Sequence, residues 1–174
     1  VEKLITKQTK AIIPVHLTGK ICNIEELIKI AKYHKIKIIE DAAQSIGAKY
    51  KKKKSGSFGL TGCFSLHPLK NLHVHGDGGM LTTNDKKIYN YVKKIRNHGL
   101  ANRDTAVLWG YNSRLDNIQA AIGNIKLKKI NNINNKFISI AKVYNKNLSK
   151  YVEVPSIEKN RTSVYHRYII KTNY

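Results

Sequence analysis

The sequence predicts an α/β fold in which a mostly parallel sheet lies between helices. Short apolar segments typical of strands alternate with amphipathic segments typical of helices, and this order is characteristic of α/β folds. The first unit, within residues 10–41, has the order strand, helix, strand, which implies a parallel pair joined by a right-handed crossover. A chain of 174 residues is also long enough to bury a core.

Residues 10–41 carry the clearest strand and helix signals. The segments "KAIIPVHL" (residues 10–17) and "IKIIED" (residues 36–41) are short apolar runs, the first of them ended by Gly19, and both are predicted to be buried strands. Between them, "NIEELIKIAKYHK" places its apolar residues on one helical face. We expect Asn23 to cap this helix and Glu26, three residues on, to complete a capping box.

The rest of the chain continues the alternation. Two short strands are expected at "GCFSL" and "GMLTT", followed by a helix over residues 85–98 that Asn84 caps and Gly99 ends. Residues 116–150 are predicted to form two helices broken near "NNINN". Pro155 then marks a turn into a final strand-like segment, "YHRYIIKTNY".

The charge balance is strongly basic, with 32 Lys and Arg against 11 Asp and Glu and a formal net charge of +21. A basic nucleic-acid-binding domain is one reading of this charge. However, 27 of the 32 cations are lysines and 5 are arginines, whereas base recognition favours arginine. Abundant Lys, Ile, Asn and Tyr, all with AT-rich codons, fit a biased genome equally well. We therefore expect no nucleic-acid partner and interpret "KKKK" (residues 51–54) as a solvated turn.

Cysteine usage and hydropathy favour the reducing cytoplasm. Cys22 and Cys63 match no metal-binding spacing and give no reason to infer a disulfide. We therefore expect no metal site. No signal peptide and no apolar stretch of membrane-spanning length is apparent either, so we expect no membrane partner. The chain begins at Val1 and ends in a strand-like segment, and we expect it to be an internal part of a longer protein.

Four polar side chains follow predicted strands. Asp41 ends the second strand, His16 lies near the end of the first, and Ser65 and Lys70 follow the third. Ligands of parallel sheets bind beyond the carboxyl ends of the strands. These side chains are therefore candidates for one site at that edge.

Five segments with a recognisable pattern occur in order along the chain: "AIIPVHLTG", "IIEDAAQSIGAKY", "GSFGLTGCFSLHPLKNLHVHGDGGMLTTND", "IRNHGL" and "GYNSRLDNIQAAIGNIKL". Together they resemble the successive motifs of the DegT/DnrJ family of PLP-dependent nucleotide-sugar aminotransferases, a branch of the fold-type-I aminotransferases. The later segment "VYHRYIIKT" resembles the first strand of the family's small domain. The resemblance implies that residues 1–130 are part of the large PLP-binding three-layer domain, and residues 131–174 the connecting helix and the start of a small C-terminal α/β domain.

The resemblance implies a role for two charged residues. Lys70 would form the Schiff base with the PLP aldehyde and later move the proton between substrate and cofactor, which an arginine, always protonated, is unable to do. Asp41 would pair with the pyridinium nitrogen. Opposite charges about 4 Å apart interact by about 4 kcal/mol at an effective dielectric constant near 20, which is enough to keep the ring protonated as an electron sink.

Three neighbouring residues would complete the cofactor contacts that the resemblance implies. Ala43 would lie under the ring, where a larger side chain would block stacking. Gln44 would hydrogen-bond the phenolic oxygen of the cofactor. Ser65 would contact the phosphate or help to position Lys70, although a loop hydroxyl bonded to backbone is the simpler alternative.

The segment "GYNSRLD" resembles the one that reaches, in this family, into the active site of the other subunit. Asn112 would bond the cofactor phosphate there, with Arg114 nearby, so the resemblance implies a homodimer with shared sites. Arg114 and His16 are weaker candidates for contact with the substrate, since a histidine at a strand end is as often a packed core residue.

The function implied is transamination of a keto group on a nucleotide-activated sugar, of the kind used in lipopolysaccharide or other cell-surface polysaccharide biosynthesis. A glutamate- or glutamine-type donor would supply the nitrogen, and "SLHPLKNL" followed by "GDGG" leans toward a 3-keto rather than a 4-keto sugar. Relatives that remove a sugar hydroxyl instead carry histidine in place of this lysine, so Lys70 argues against that variant. A pseudoenzyme or regulatory relative without turnover remains an alternative.

Overall fold

The computed structural model describes residues 1–172 and confirms the α/β class. Two short 3-10 turns, Glu2–Leu4 and Leu17–Gly19, accompany the regular elements. In chain order these elements are β1 (Ala11–Ile12), α1 (Ile24–Tyr33), β2 (Lys37–Asp41), β3 (Lys49–Tyr50), β4 (Lys53–Lys54), β5 (Thr61–Ser65), β6 (Gly79–Thr82), α2 (Lys86–Ile95), α3 (Asn117–Lys128), α4 (Ile130–Leu148) and β7 (Arg161–Thr162).

The main sheet has the strand order β1-β2-β5-β6. β1 and β5 both run parallel to β2, while β6 pairs with β5 in the antiparallel direction. The predicted parallel pair of the first unit is thus confirmed. A second sheet, β4-β3-β7, is antiparallel and joins the hairpin at residues 49–54 to the C-terminal segment.

Two apolar clusters form the core. The first contains Ile21, Ile24, Ala31, Ile38, Ala48 and Val164, and the second contains Leu66, Leu72, Val74 and Ile130. Val164 lies beyond residue 130, so the C-terminal segment packs on the first cluster, and the division of the chain at residue 130 stays a prediction. Leu66 and Leu72 flank the loop that carries Lys70, and their burial holds both ends of that loop in place.

The helix boundaries differ from the predicted ones where side chains find other partners. Asn23 precedes α1 without capping it, because its Oδ1 accepts a hydrogen bond from Arg161 Nη2 at 3.0 Å. Asp85, not Asn84, caps α2, where its carboxylate accepts two backbone N–H groups. The break between α3 and α4 falls at Lys129 rather than in "NNINN". That run stays helical in part because Asn134 is buried and bonded to the Ile46 carbonyl at 3.0 Å.

Two predicted strands are shorter or absent. Pro14, which has no N–H, interrupts the first strand after Ile12, and only an isolated bridge joins Val15 to Asp41. Residues 165–172 form no strand and contribute one bridge, between Lys171 and Glu153; residues 173–174 lie outside the described part of the chain. The lysines of residues 51–54 are exposed as predicted, although the last two form β4.

Within residues 1–172, no helix combines the length and apolar character that crossing a membrane requires.

Candidate active site

The carboxyl ends of β2 and β5 form the edge at which the sequence predicts a site. The two strands are parallel, and Asp41 pairs with Cys63. Paired residues of neighbouring strands share a face of the sheet, and side chains alternate along each strand. Asp41, Cys63 and Ser65 therefore lie on one face, while Glu40 and Phe64 lie on the other.

Lys70 lines a cavity of about 520 Å³ together with Ser65, His67, Leu69, His166 and Arg167. Ser65 is the last residue of β5, and its Oγ accepts the backbone N–H of His67 at 3.3 Å. The backbone N–H of Lys70 closes a turn by donating to the His67 carbonyl at 2.9 Å. The structure thus brings Ser65 and Lys70 together, as the sequence predicts.

The surroundings of Lys70 are only partly apolar. Leu72 is 1% exposed, but Leu69 is 75% exposed, and Lys70 itself is half-buried. The Lys70 side chain therefore lines an open cavity together with Leu69 and four polar residues.

Asp41 lies at the neighbouring strand end and does not line the Lys70 cavity. It is half-buried, and its Oδ1 accepts the backbone N–H of Ala43 at 3.0 Å. Asp41 and Ser65 share a face of the sheet across adjacent strands. The carboxylate therefore lies on the same face of the sheet as Ser65, with one of its oxygens held by the backbone.

Gln44 is fixed in one orientation by the main chain. Its Oε1 accepts the Thr18 N–H at 2.7 Å, which assigns the amide oxygen as the acceptor. The Nε2 group makes no hydrogen bond to any residue within the described 1–172 and is left as a donor. An N–H donor held in this way can form a hydrogen bond to an anionic or carbonyl oxygen of a ligand.

His16 belongs to a buried cluster on the opposite face of the sheet. It is 0% exposed, and its Nε2 lies 2.9 Å from the Glu40 carboxylate. Glu40, equally buried, also accepts the backbone N–H groups of Gly56, Phe58 and Gly59 at 2.6–2.7 Å. This geometry favours packing over substrate contact for His16, whose role toward the substrate stays a prediction without geometric support.

The two charged groups of this cluster stabilise one another. Burial alone would raise the pKa of Glu40, but hydrogen bonds from His16 and the three amides hold it below its usual range. Burial likewise disfavours the charged form of His16, yet side-chain hydrogen bonds with Cys22 and Glu40 raise its pKa to about 9. The Glu40 carboxylate is the closest side-chain partner, at 2.9 Å from Nε2, while the Cys22 backbone N–H donates to Nδ1 at 3.4 Å, the limit of hydrogen bonding.

Sequence reasoning missed three residues around the site. Glu40 is not singled out by the sequence beside Asp41, and the pattern around His166 and Arg167 indicates only a strand. These two residues reach the Lys70 cavity because the C-terminal segment is bonded to residues 18–19: the Val164 N–H donates to the Gly19 carbonyl at 2.9 Å. The one sequence feature that could have indicated a role in the site is the pair of basic residues inside the aromatic segment "VYHRY" (residues 164–168).

Burial and the positive charges of Lys70 and Arg167 lower the pKa of His166. The imidazole is therefore neutral near pH 7 and adds no further charge opposite Lys70.

Asn112 and Arg114 lie elsewhere on the chain. They line a separate cavity of about 570 Å³ beside β6 and the end of α2. Both are exposed, and Arg114 Nε donates to Asn112 Oδ1 at 2.9 Å. Within one chain, the structure therefore does not bring these two residues to the Lys70 cavity.

An α/β sheet with a loop lysine, a strand-end carboxylate and an oriented glutamine after neighbouring strands matches the arrangement expected of an aminotransferase. The chain belongs to the DegT/DnrJ/EryC1/StrS aminotransferase family, whose model matches residues 1–174.

Two curated relatives show the range of the family. The chain is 41% identical, over 98% of its length, to the "Pleiotropic regulatory protein" of Geobacillus stearothermophilus, of which it covers 47%. It is 38% identical, also over 98% of its length, to the dTDP-3-amino-3,6-dideoxy-alpha-D-galactopyranose transaminase of Aneurinibacillus thermoaerophilus, and again covers 47% of that protein. The chain thus spans about half the length of the curated relatives it matches.

A solved structure of similar fold is that of Streptomyces venezuelae DesV in complex with a ketimine intermediate. It superimposes with a TM-score of 0.94 at 34% identity, covering 98% of this chain and 47% of that one. The agreement confirms the fold as that of one half of an aminotransferase subunit.

Proposed function

We propose that the complete protein is a PLP-dependent transaminase that transfers an amino group to the keto carbon of a nucleotide-linked sugar. The observation that carries the proposal is the Lys70 cavity beside the Asp41 strand end, in a chain of the sugar aminotransferase family. The named transaminase relative, at 38% identity, supports the choice of substrate class.

The residues at the sheet edge fit PLP. The cofactor presents a phenolic oxygen, a ring nitrogen and a flat face. The free donor of Gln44 matches the phenolic oxygen, and the half-buried carboxylate of Asp41 matches a protonated ring nitrogen. Ala43, also half-buried, is the small side chain at the same strand end, where a ring would need space.

Bound PLP would supply an electron sink for the exchange of the amino group. In our proposal Lys70 is the covalent attachment point, and its Nζ takes and returns the proton at the reacting carbon. That role requires the neutral amine. Ser65, which lines the same cavity, would position Lys70 or bind the phosphate.

We propose that the active unit is a two-fold homodimer with shared sites. Asn112 and Arg114 lie in a cavity separate from that of Lys70. If Asn112 binds the cofactor phosphate, as the family resemblance implies, a second copy has to supply it. The amino donor in this proposal is glutamate or glutamine, the sugar a 3-keto one, and the compartment the cytoplasm.

The relative named as a pleiotropic regulatory protein favours a second candidate, a regulatory protein that binds the cofactor without turnover. The two candidates differ in one measurable respect. A transaminase converts the donor into a keto acid, whereas a regulatory relative does not.

The test uses the complete protein loaded with PLP. Glutamate and glutamine are supplied first, and the keto acid is quantified; nucleotide-linked sugars with a 3-keto or a 4-keto group are then added. We expect a keto acid from one donor and an amino sugar, detected by mass spectrometry, from a keto sugar. PLP binding with no keto acid from either donor would favour the regulatory alternative.

Sharing of the site is tested with Asn112→Ala. We expect PLP to dissociate faster from this variant, and cofactor retention and activity to recover partly when Lys70→Ala subunits are mixed in, because mixed dimers contain one intact site. Unchanged PLP retention in Asn112→Ala would contradict the shared site.

A further inference from the structure

Two buried asparagines join the loop of Lys70 to distant parts of the chain. They are Asn71, the residue after Lys70, and Asn134 on α4. The Asn71 Nδ2 group donates to Asn134 Oδ1 at 2.9 Å and to the Val164 carbonyl at 3.0 Å. Asn134 Nδ2 donates in turn to the Ile46 carbonyl at 3.0 Å. We call these two side chains and their three hydrogen bonds the amide bridge.

The hydrogen bonds fix the orientation of both side-chain amides. Asn134 has to present its nitrogen to the Ile46 carbonyl, so its oxygen faces Asn71, which donates from its own nitrogen to two acceptors. Burying an amide costs free energy unless its groups are bonded. A buried network whose groups are bonded holds its members in one arrangement. The amide bridge is therefore a rigid junction.

The loop before Gly47 is shaped to reach Asn134. Gly47 has a φ of 84°, a conformation that residues with a side chain rarely adopt. A Cβ at this position would lie 2.6 Å from Asn134 Nδ2. The backbone beside Ile46 therefore comes as close to Asn134 as a glycine permits.

Each segment that the amide bridge joins carries a residue of the candidate site. Lys70 directly precedes Asn71. Gln44 and His166 each lie two positions from a carbonyl that the bridge holds, and His166 lines the Lys70 cavity. Three segments that are far apart in the sequence thus share one anchoring point in the interior.

Apolar packing alone does not provide this alignment. Leu66 and Leu72 bury the two ends of the Lys70 loop, but the hydrophobic effect is not directional. Hydrogen bonds constrain both distance and angle. Neither asparagine lines the Lys70 cavity, so any effect of the amide bridge on chemistry acts through the residues that it aligns.

We propose that Asn71 and Asn134 are positioning residues for the amine of Lys70, an inference that rests on the proposed function. Through the amide bridge they hold the Lys70 loop in register with the segments of Gln44 and His166. The Lys70 amine is thereby oriented toward the cofactor before the cofactor arrives.

The test measures how fast Lys70 of the complete, PLP-free protein captures added PLP. The amine condenses with the aldehyde and releases water, and borohydride then adds hydride to make the bond permanent. Samples are reduced at timed intervals, digested, and analysed by mass spectrometry to locate and quantify the adduct. Asn71→Ala and Asn134→Ala break the amide bridge. The control Thr83→Val removes a half-buried hydroxyl that donates to the Leu60 carbonyl at 2.8 Å, outside the bridge.

Both alanine variants should slow capture at Lys70 roughly 10- to 100-fold, the loss expected when a reacting group is misplaced by about 1 Å. Thr83→Val should capture PLP at the unaltered rate. The double variant should be no slower than the slower single variant, because either substitution breaks the same connection. Urea midpoints are measured for every variant, so that rates are compared among folded proteins.

Pyridoxamine 5'-phosphate separates positioning from a general loss of the site. It carries an amine in place of the aldehyde and is unable to condense with Lys70, so its affinity reports on the rest of the cofactor site. We expect Asn71→Ala to bind it as tightly as the unaltered protein does.

Capture at Lys70 as fast in Asn71→Ala as in the unaltered protein would overturn the inference. So would an equal loss of pyridoxamine phosphate binding, which would show that the amide bridge only maintains the fold of the site. If Asn71→Ala does not fold, Asn71→Ser, which keeps a hydroxyl donor, is measured under the same criteria. No adduct on Lys70 of the unaltered protein would remove the proposed function itself, whereas normal capture by both proteins would remove only the positioning role.

Discussion

Glu40 and Asp41 are adjacent carboxylates at the end of the same strand, yet their environments differ completely. Glu40 is 0% exposed and accepts hydrogen bonds from one imidazole and three backbone amides. The side chain of Asp41 is half-buried, and its Oδ1 accepts the Ala43 amide at 3.0 Å. One acid is fully engaged by the fold, while the other keeps an oxygen available.

The alternation of side chains along β2 produces this division. Glu40 points to the face where the loop of residues 56–59 closes over it, and Asp41 points to the face shared with Ser65. The two faces of one strand end therefore serve different purposes in our account. One fixes the scaffold, and the other presents groups to a ligand.

The largest expected effect is on activity, at Asp41. In the complete protein, the variant Asp41→Asn removes the charge proposed to keep the cofactor ring protonated. An interaction of about 4 kcal/mol corresponds to a roughly 1,000-fold loss in the transamination rate. Steady-state kinetics of the PLP-loaded variant measure this loss, and the urea midpoint should stay close to that of the unaltered protein. Activity within about tenfold of the unaltered protein, a difference of about 1.4 kcal/mol, would place Asp41 outside the cofactor site.

Stability should respond at Glu40. The variant Glu40→Gln keeps the size of the side chain but loses the negative charge, so one or more of the amides at residues 56–59 and the His16 ring lose a good acceptor. We expect the free energy of unfolding to fall by about 1–3 kcal/mol, measured by urea unfolding of the complete protein. Unchanged stability would show that the buried cluster is not needed for the fold, and the contrast with Asp41 would fail.

The last expected effect is a pH dependence of stability carried by His16. Its pKa is raised to about 9 in the folded protein, against about 6.5 in an unfolded chain. The stability that it contributes is fully present below about pH 6.5 and is lost as the pH rises through about 9. The unfolding free energy should therefore decline over this range more steeply in the unaltered protein than in His16→Gln. Parallel profiles would show that His16 is not charged in the folded state.

The sequence predicted the parts of this molecule that depend on local patterns. The strand–helix–strand unit, the parallel pairing and the loop joining Ser65 to Lys70 follow from apolar runs and strand order. The division between Glu40 and Asp41 also follows from alternation, once the face that each occupies is known. The sequence does not reveal that face, because the closing loop at residues 56–59 lies after a further hairpin.

Contacts between distant segments account for what was missed. His166 reaches Lys70 from 96 positions further along the chain, held there by backbone bonds to residues 18–19 that no periodicity encodes. Asn23 was expected to cap α1 but bonds Arg161 instead. Polar side chains with several possible partners are the ones that local rules predict least well.

The central claim is that Lys70 holds the cofactor beside the Asp41 face of the sheet. The most direct test is borohydride reduction of the complete protein loaded with PLP, followed by digestion and mass spectrometry of the peptides. We predict a single stable pyridoxyl adduct, located on Lys70 and missing from the Lys70→Ala variant. An adduct on any other lysine would contradict the account.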